Sequence, residues 1–148
     1  MNYFSVIEER TKSLCVQVYD SEVSNFEFAG QLSIKRLYDS LGCDNGMQFY
    51  CKYDNYNLEF TTNDLVPSVL HKILSSAKQN ERACFRYPLN FQGNDSYVNR
   101  NGNNIPMKIL LLKSDVENTI DFELQIDATH KVVIELTVET FEELVKQI

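Results

Sequence analysis

From Ile120 to Val138 apolar residues fall on every second position: Ile120, Phe122, Leu124 and Ile126, then Val132, Ile134, Leu136 and Val138. A period of two marks half-buried strands, here two joined by a turn. Shorter stretches of the same kind predict strands at Tyr3–Ile7, Leu14–Tyr19, Asn25–Ala29 and Ala83–Tyr87, the last ended by Pro88. A mostly apolar run, Ile105–Lys113, predicts a strand buried on both faces. Met47–Tyr53 and Leu58–Thr61, with Asp54–Asn57 between them, read as a hairpin. Ile34, Leu37, Tyr38 and Leu41 recur at i, i+3, i+4 and i+7, which predicts a helix over about 31–41, terminated by Gly42. A second helix is expected from a cap at Asn63 or Asp64 to about Gln79, with Pro67 in its first turn. Its inward stripe is Val66, Val69, Leu70, Ile73, Leu74 and Ala77. Thr140-x-x-Glu143 reads as the capping box of a short final helix, with Phe141, Leu144, Val145 and Ile148 facing in. Asn90 to Asn104, rich in asparagine and glycine, reads as a long loop.

About eight strands and three helices without strict alternation give an α+β class built on a largely antiparallel sheet. The 148 residues are expected to form one domain, 1–148, of ordinary composition, with 43% hydrophobic and 24% charged residues. The longest strongly apolar run, Ile109–Leu112, is too short to span a bilayer. The opening Met1–Arg10 lacks the basic and apolar regions of a secretory signal, so a cytoplasmic setting is expected. The four cysteines form no C-x-x-C pair, and with His71 and His130 give no metal-ligand spacing. Buried, reduced thiols are expected, and no cofactor or metal.

Charge changes the picture. The net charge is −7, yet residues 1–113 hold 12 basic and 12 acidic residues. Residues 114–148 hold nine acids against Lys131 and Lys146, so the last 35 residues supply the whole imbalance. On the strand face opposite the apolar set lie Asp121, Glu123, Asp127, Glu135 and Glu139. A three-residue turn would set Asp121 opposite Glu135, and a five-residue turn Glu123 opposite Glu135. Either register brings two carboxylates to about 5 Å, an arrangement that weakens a sheet. An acidic face also keeps a protein soluble and discourages edge aggregation, so it is not by itself a binding site.

Catalytic chemistry finds little support. A nucleophile needs a nearby base, and no local signature sets His71 or His130 beside a thiol. The carboxylates lie on a face expected to be wet, without the spacing of a calcium loop. No glycine-rich phosphate cradle occurs. Direct nucleic-acid binding is disfavoured by the acidity; Arg82, Arg86 and Arg100, with Phe85 and Tyr87 between, would make only a small local patch, and Arg82 and Arg86 read instead as outward-facing strand or loop residues.

An acidic domain without an enzyme motif suits a binder of basic protein, because complementary charge speeds association and disfavours wrong partners. In length, lack of an export signal, acidity confined to 114–148 and asparagine content, the chain resembles the bacterial immunity proteins that neutralise toxins of contact-dependent growth inhibition and related polymorphic toxin systems. That resemblance implies a basic toxin domain as partner, such as a nuclease, covered by an acidic surface. Asp121, Glu123, Asp127, Glu135 and Glu139 are the expected contact residues, with Tyr97 and Arg100 on an adaptable arm. The rival readings are a phage-type inhibitor of a host factor, and a small enzyme or ligand-binding domain with a pocket between sheet and helix.

Overall fold

The computed structural model describes residues 5–21, 26–53, 56–62, 67–88, 97–100, 102–114, 118–127 and 129–146. Ten described strands and two helices follow in the order β1 (Ser5–Asp20), β2 (Phe26–Tyr38), β3 (Asp44–Tyr53), β4 (Tyr56–Thr62), α1 (Pro67–Lys78), β5 (Ala83–Pro88), β6 (Tyr97–Arg100), β7 (Asn103–Pro106), β8 (Ile109–Ser114), β9 (Thr119–Gln125), β10 (Lys131–Thr137) and α2 (Val138–Val145). The strands make one sheet, β5-β8-β9-β10-β1-β2-β3-β4-β6-β7. Every described pairing in it is antiparallel, so the chain is α+β.

This sheet is strongly curled. β9 and β3 are four neighbours apart, about 19 Å on a flat sheet at ~4.8 Å per strand. Yet the rings of Phe122 on β9 and Phe49 on β3 meet edge to face at 5.3 Å. The bend falls on β1 and β2, whose ladder shifts register between Val6 and Glu8 and again between Thr11 and Cys15. Extra residues of this kind bend and twist a strand pair. β10 joins one end of that ribbon, at Gln17–Asp20 of β1, while β3 joins Gln31–Tyr38 of β2. Inside the curl a column of rings runs Phe60–Phe49–Phe122–Phe141, with centroids 4.8, 5.3 and 6.1 Å apart. All four rings are fully buried, each burial contributing about 1.5–3 kcal/mol.

The helices close the inner side of the β5-β8-β9-β10 half. α1 packs on β5, β8, β9 and α2, and α2 packs on β1, β9 and β10. Leu70, Ile73, Leu74 and Ala77 of α1, and Val138, Phe141, Leu144 and Val145 of α2, join the core formed by Leu110, Leu112, Ile120, Phe122, Leu124, Val132, Ile134 and Leu136. The stripe expected for α1 is therefore observed from Val69 onward; Asn63, Asp64 and Val66 lie outside the described residues, as does Ile148.

Several expectations need correction. The helix over 31–41 is the second half of β2. Leu32 and Ile34 face inward at 0% and 1% exposure, as a strand requires, and a register shift between Arg36 and Tyr38 then brings Leu37 inward at 2%. A strand whose inward side changes at a register shift thus copies helical spacing. Leu41, the last residue of the supposed stripe, is 87% exposed in the turn that follows. The Asp39 carboxylate holds that turn by accepting from the amides of Leu41 and Cys43, each at 2.9 Å. Part of the 90–104 loop is the hairpin β6–β7, which extends the sheet from β4, with Gly102 at φ +85° in its tight turn. Residues 89–96 lie outside the described set. Of the two strands expected at Tyr3–Ile7 and Leu14–Tyr19, the part from Ser5 onward is one strand, β1, while Tyr3 and Phe4 lie outside the described residues. The strand expected over 105–113 is divided by Met107 and Lys108 between β7 and β8, and the outward side of β8 is half-buried. The final helix begins earlier than the Thr140 box, with Thr137 as N-cap accepting from the Thr140 amide.

Candidate functional site

The C-terminal acids reach two different layers of the molecule. β9 and β10 pair so that Asp121 stands opposite Glu135 and Glu123 opposite Val133. β8 lies on the other side of β9, with Lys113 opposite Asp121 and Leu111 opposite Glu123. The outer face of this half therefore carries the row Cys84, Lys113, Asp121, Glu135 across β5, β8, β9 and β10. Glu135 is exposed and Asp121 half-buried.

Glu123 does not present a free carboxylate. It is 6% exposed. Its Oε2 accepts from Lys113 Nζ at 2.8 Å and its Oε1 from Gln125 Nε2 at 3.3 Å, with Lys131 Nζ 3.8 Å from Oε1. Burial alone would raise its pKa, but the hydrogen bonds from Lys113 and Gln125 and the nearby ammonium charges more than offset this, leaving it below the usual carboxylate value. The bond to Glu123 raises the Lys113 pKa in turn.

Asp127 is likewise used internally. Its Oδ1 accepts from the amides of Thr129 and His130 at 2.8 and 2.9 Å and from Thr129 Oγ1 at 3.1 Å. Its Oδ2 lies 2.8 Å from His130 Nδ1. The Thr129 amide first, and then His130, hold this carboxyl well below its usual range. These bonds shape the β9–β10 turn, as Asp commonly does.

Glu139 leaves the strand altogether. β10 ends at Thr137, and Glu139 lies in the first turn of α2, where a negative charge suits the helix dipole. On the same helix Glu142 pairs with Lys78 and Lys146, and the bond to Lys78 lowers its pKa foremost. Tyr97 sits on the far half of the sheet, opposite Glu59. Its hydroxyl donates to Glu59 Oε2 at 3.4 Å, while Gln48 Nε2 donates to Oε1 at 2.6 Å. Burial first, and then Glu59, raise the Tyr97 pKa. Arg100 ends the same strand, and its side chain lies outside the described residues.

Of the seven residues expected at one interface, the structure groups Asp121, Glu123 and Glu135 on the outer face, with Asp127 at its end. It separates Glu139 from them by a layer and Tyr97 by half the sheet. Lys113 and Gln125 are not among the residues expected there, although Lys113 follows Ile109 and Leu111 in steps of two along β8. Two shallow depressions flank Glu123. One, of about 400 Å³, is lined by Arg82, Ala83, Cys84, Lys113, Ser114, Asp121 and Glu123. The other, of about 240 Å³, is lined by Glu123, Gln125, Asp127, Thr129, His130 and Lys131.

The thiols also depart from the expectation of uniform burial. Cys51 is buried, which pushes its pKa up to about 12, but Cys43 and Cys84 are exposed. The Cys15 side chain lies outside the described residues. Among the described residues no cluster of three metal-ligating side chains occurs, and no helix is long and apolar enough to cross a membrane. No family model, curated protein or solved structure matches the chain.

Proposed function

We propose that this chain is a cytoplasmic inhibitor of the immunity-protein type, which binds a basic toxin domain. The interface is narrower than the five-carboxylate face expected from the sequence, because Glu123 and Asp127 already have partners. It centres instead on the outer margin of β9 and β10. One observation carries this reading: Glu135 is exposed on the outer face of β10, at the edge of the row that Asp121 and Lys113 continue. Lys113 faces Asp121 from β8, so the carboxylate that meets a partner's cation at this margin is Glu135. A net charge of −7 adds long-range attraction for such a partner.

The test uses the purified chain and the toxin domain encoded beside its gene. Glu135→Lys, verified as folded by circular dichroism, is expected to lower the association rate about tenfold at low salt and to flatten its salt dependence. An association rate equal to wild type at every salt concentration rejects the role of this margin. Failure of the wild-type chain to form a complex, or to inhibit the toxin domain, rejects the immunity reading as a whole.

A further inference from the structure

β5 stands at one end of the strand order and pairs with β8 alone. Among the described residues its other side has no neighbour. Which backbone groups face that side follows from hydrogen bonds around the ladder. Ala83 N–H donates to Ser114 Oγ on β8. Lys108 N–H reaches the Gln125 carbonyl, Ile126 N–H the His130 carbonyl, and Lys131 N–H the Ser21 hydroxyl, fixing the alternation of β8, β9 and β10 consistently. Successive residues of an antiparallel strand direct their N–H and C=O to opposite sides. Ala83, Phe85 and Tyr87 thus bond to β8, and Cys84 and Arg86 direct both backbone groups to the free edge.

An edge of this kind is a template for another strand. The opposite edge, β7, is four residues long and ends in Pro106, which has no N–H to offer. β5 is held in place from beneath, since Tyr87 is buried, Phe85 packs on the core and α1 lies against the strand. A rigid edge loses little conformational freedom when a strand adds to it. Cys84 and Arg86 are exposed, and the 400 Å³ depression opens next to Cys84. Arg82 and Lys113 in its lining are matched by Asp121 and Glu123, so it offers both donors and acceptors without net charge.

We propose that β5 binds an extended segment of a partner protein by strand addition. The segment exchanges main-chain hydrogen bonds with Cys84 and Arg86. It sets an amide or hydroxyl side chain over the depression and, two residues along, a carboxylate against Arg86. Main-chain bonds supply affinity in this mode, and the alternate side chains supply specificity. This surface is distinct from the Asp121–Glu135 margin, and the proposal does not depend on the identity of any toxin.

The test is selection of short random peptides on the immobilised full chain, followed by amide exchange with the selected peptides synthesised. The expected peptides carry Asp or Glu two positions from Asn, Gln, Ser or Thr. On binding, exchange at Cys84 and Arg86 slows while Phe85, already bonded to β8, does not change. Arg86→Glu weakens binding about tenfold or more. Cys84→Pro, which removes an N–H that β8 does not use, abolishes it. Glu135→Lys leaves it intact. The proposal is overturned by selection of no sequence beyond those taken by an unrelated protein, by protection without alternation, or by peptides that bind Arg86→Glu as well as wild type. Protection of Cys84 and Arg86 in the free chain through self-association also overturns it.

Discussion

Glu123 shows how a side chain can point outward and still belong to the interior. It lies on the solvent side of β9, yet Lys113, Gln125 and Lys131 cover it and bond to it. Such a carboxylate makes stability depend on pH. Because its folded pKa is below the unfolded value of about 4.3, its contribution is fully present above that value and is lost as pH falls through the folded pKa. Glu123→Gln removes the charged hydrogen-bond partner of Lys113 and is expected to cost about 1 kcal/mol at neutral pH. That is less than the roughly 1.5–3 kcal/mol of a charged hydrogen bond, since the Lys113 side chain is 37% exposed and solvent screens the pair. Asp127 and Glu142 titrate in both proteins, so the informative quantity is the difference in urea midpoint between wild type and variant. It should shrink as pH drops below about 4.3. Parallel profiles from pH 7 to acid would show that Glu123 carries no linked proton.

Elements differ in how plainly the chain announces them. Those with an uninterrupted period were legible: β9, β10, the β3–β4 hairpin and α1. β2 was hidden by the irregularity of its ladder with β3, because moving from Ile34 to Leu37 across that register shift gives the same spacing as a helical turn. β6 and β7 were hidden by composition, since Asn99, Asn103 and Asn104 resemble loop residues until strand pairing satisfies their backbones, although Asn101-Gly102 is a strong signal for a tight hairpin turn. The change from β10 to α2 occurs inside a continuous run of alternating residues. Thr137 makes the change by accepting the Thr140 amide at 3.1 Å, and this removes Glu139 from the strand face. Thr137→Ala is therefore expected to destabilise the protein by about 1 kcal/mol. Thr140→Ala, which keeps the amide that Thr137 caps, should cost less than Thr137→Ala in the same denaturation experiment. Equal losses would place the cap elsewhere.

At the scale of the molecule, the sequence shows which residues are apolar but not which strands meet. Lys113, which bonds Glu123, comes from β8, and although β8 and β9 are consecutive strands, alternation within each does not fix the register that brings the two side chains together. The same holds for the curl of the sheet, which depends on ring contacts between strands more than 70 residues apart in the chain. Phe49 and Phe122 are the sharpest instance, since the contact exists only if the halves of the sheet close on one another. Their interaction is measurable apart from the loss of buried area. Replacing each ring by leucine, singly and together, removes the edge-to-face geometry while keeping most of the apolar bulk. The double-mutant cycle should yield a coupling of about 0.5–1.5 kcal/mol, the worth of an aromatic pair beyond its burial. A parallel cycle on Phe49 and Leu110, both buried but with no ring pair between them, should yield a coupling within about 0.5 kcal/mol of zero if the two positions are independent. Equal couplings in the two cycles would mean that leucine substitution disturbs the core generally. No coupling in the first would mean that the two halves do not touch at these rings, and that the outer face proposed for binding is flatter than the curled sheet presents.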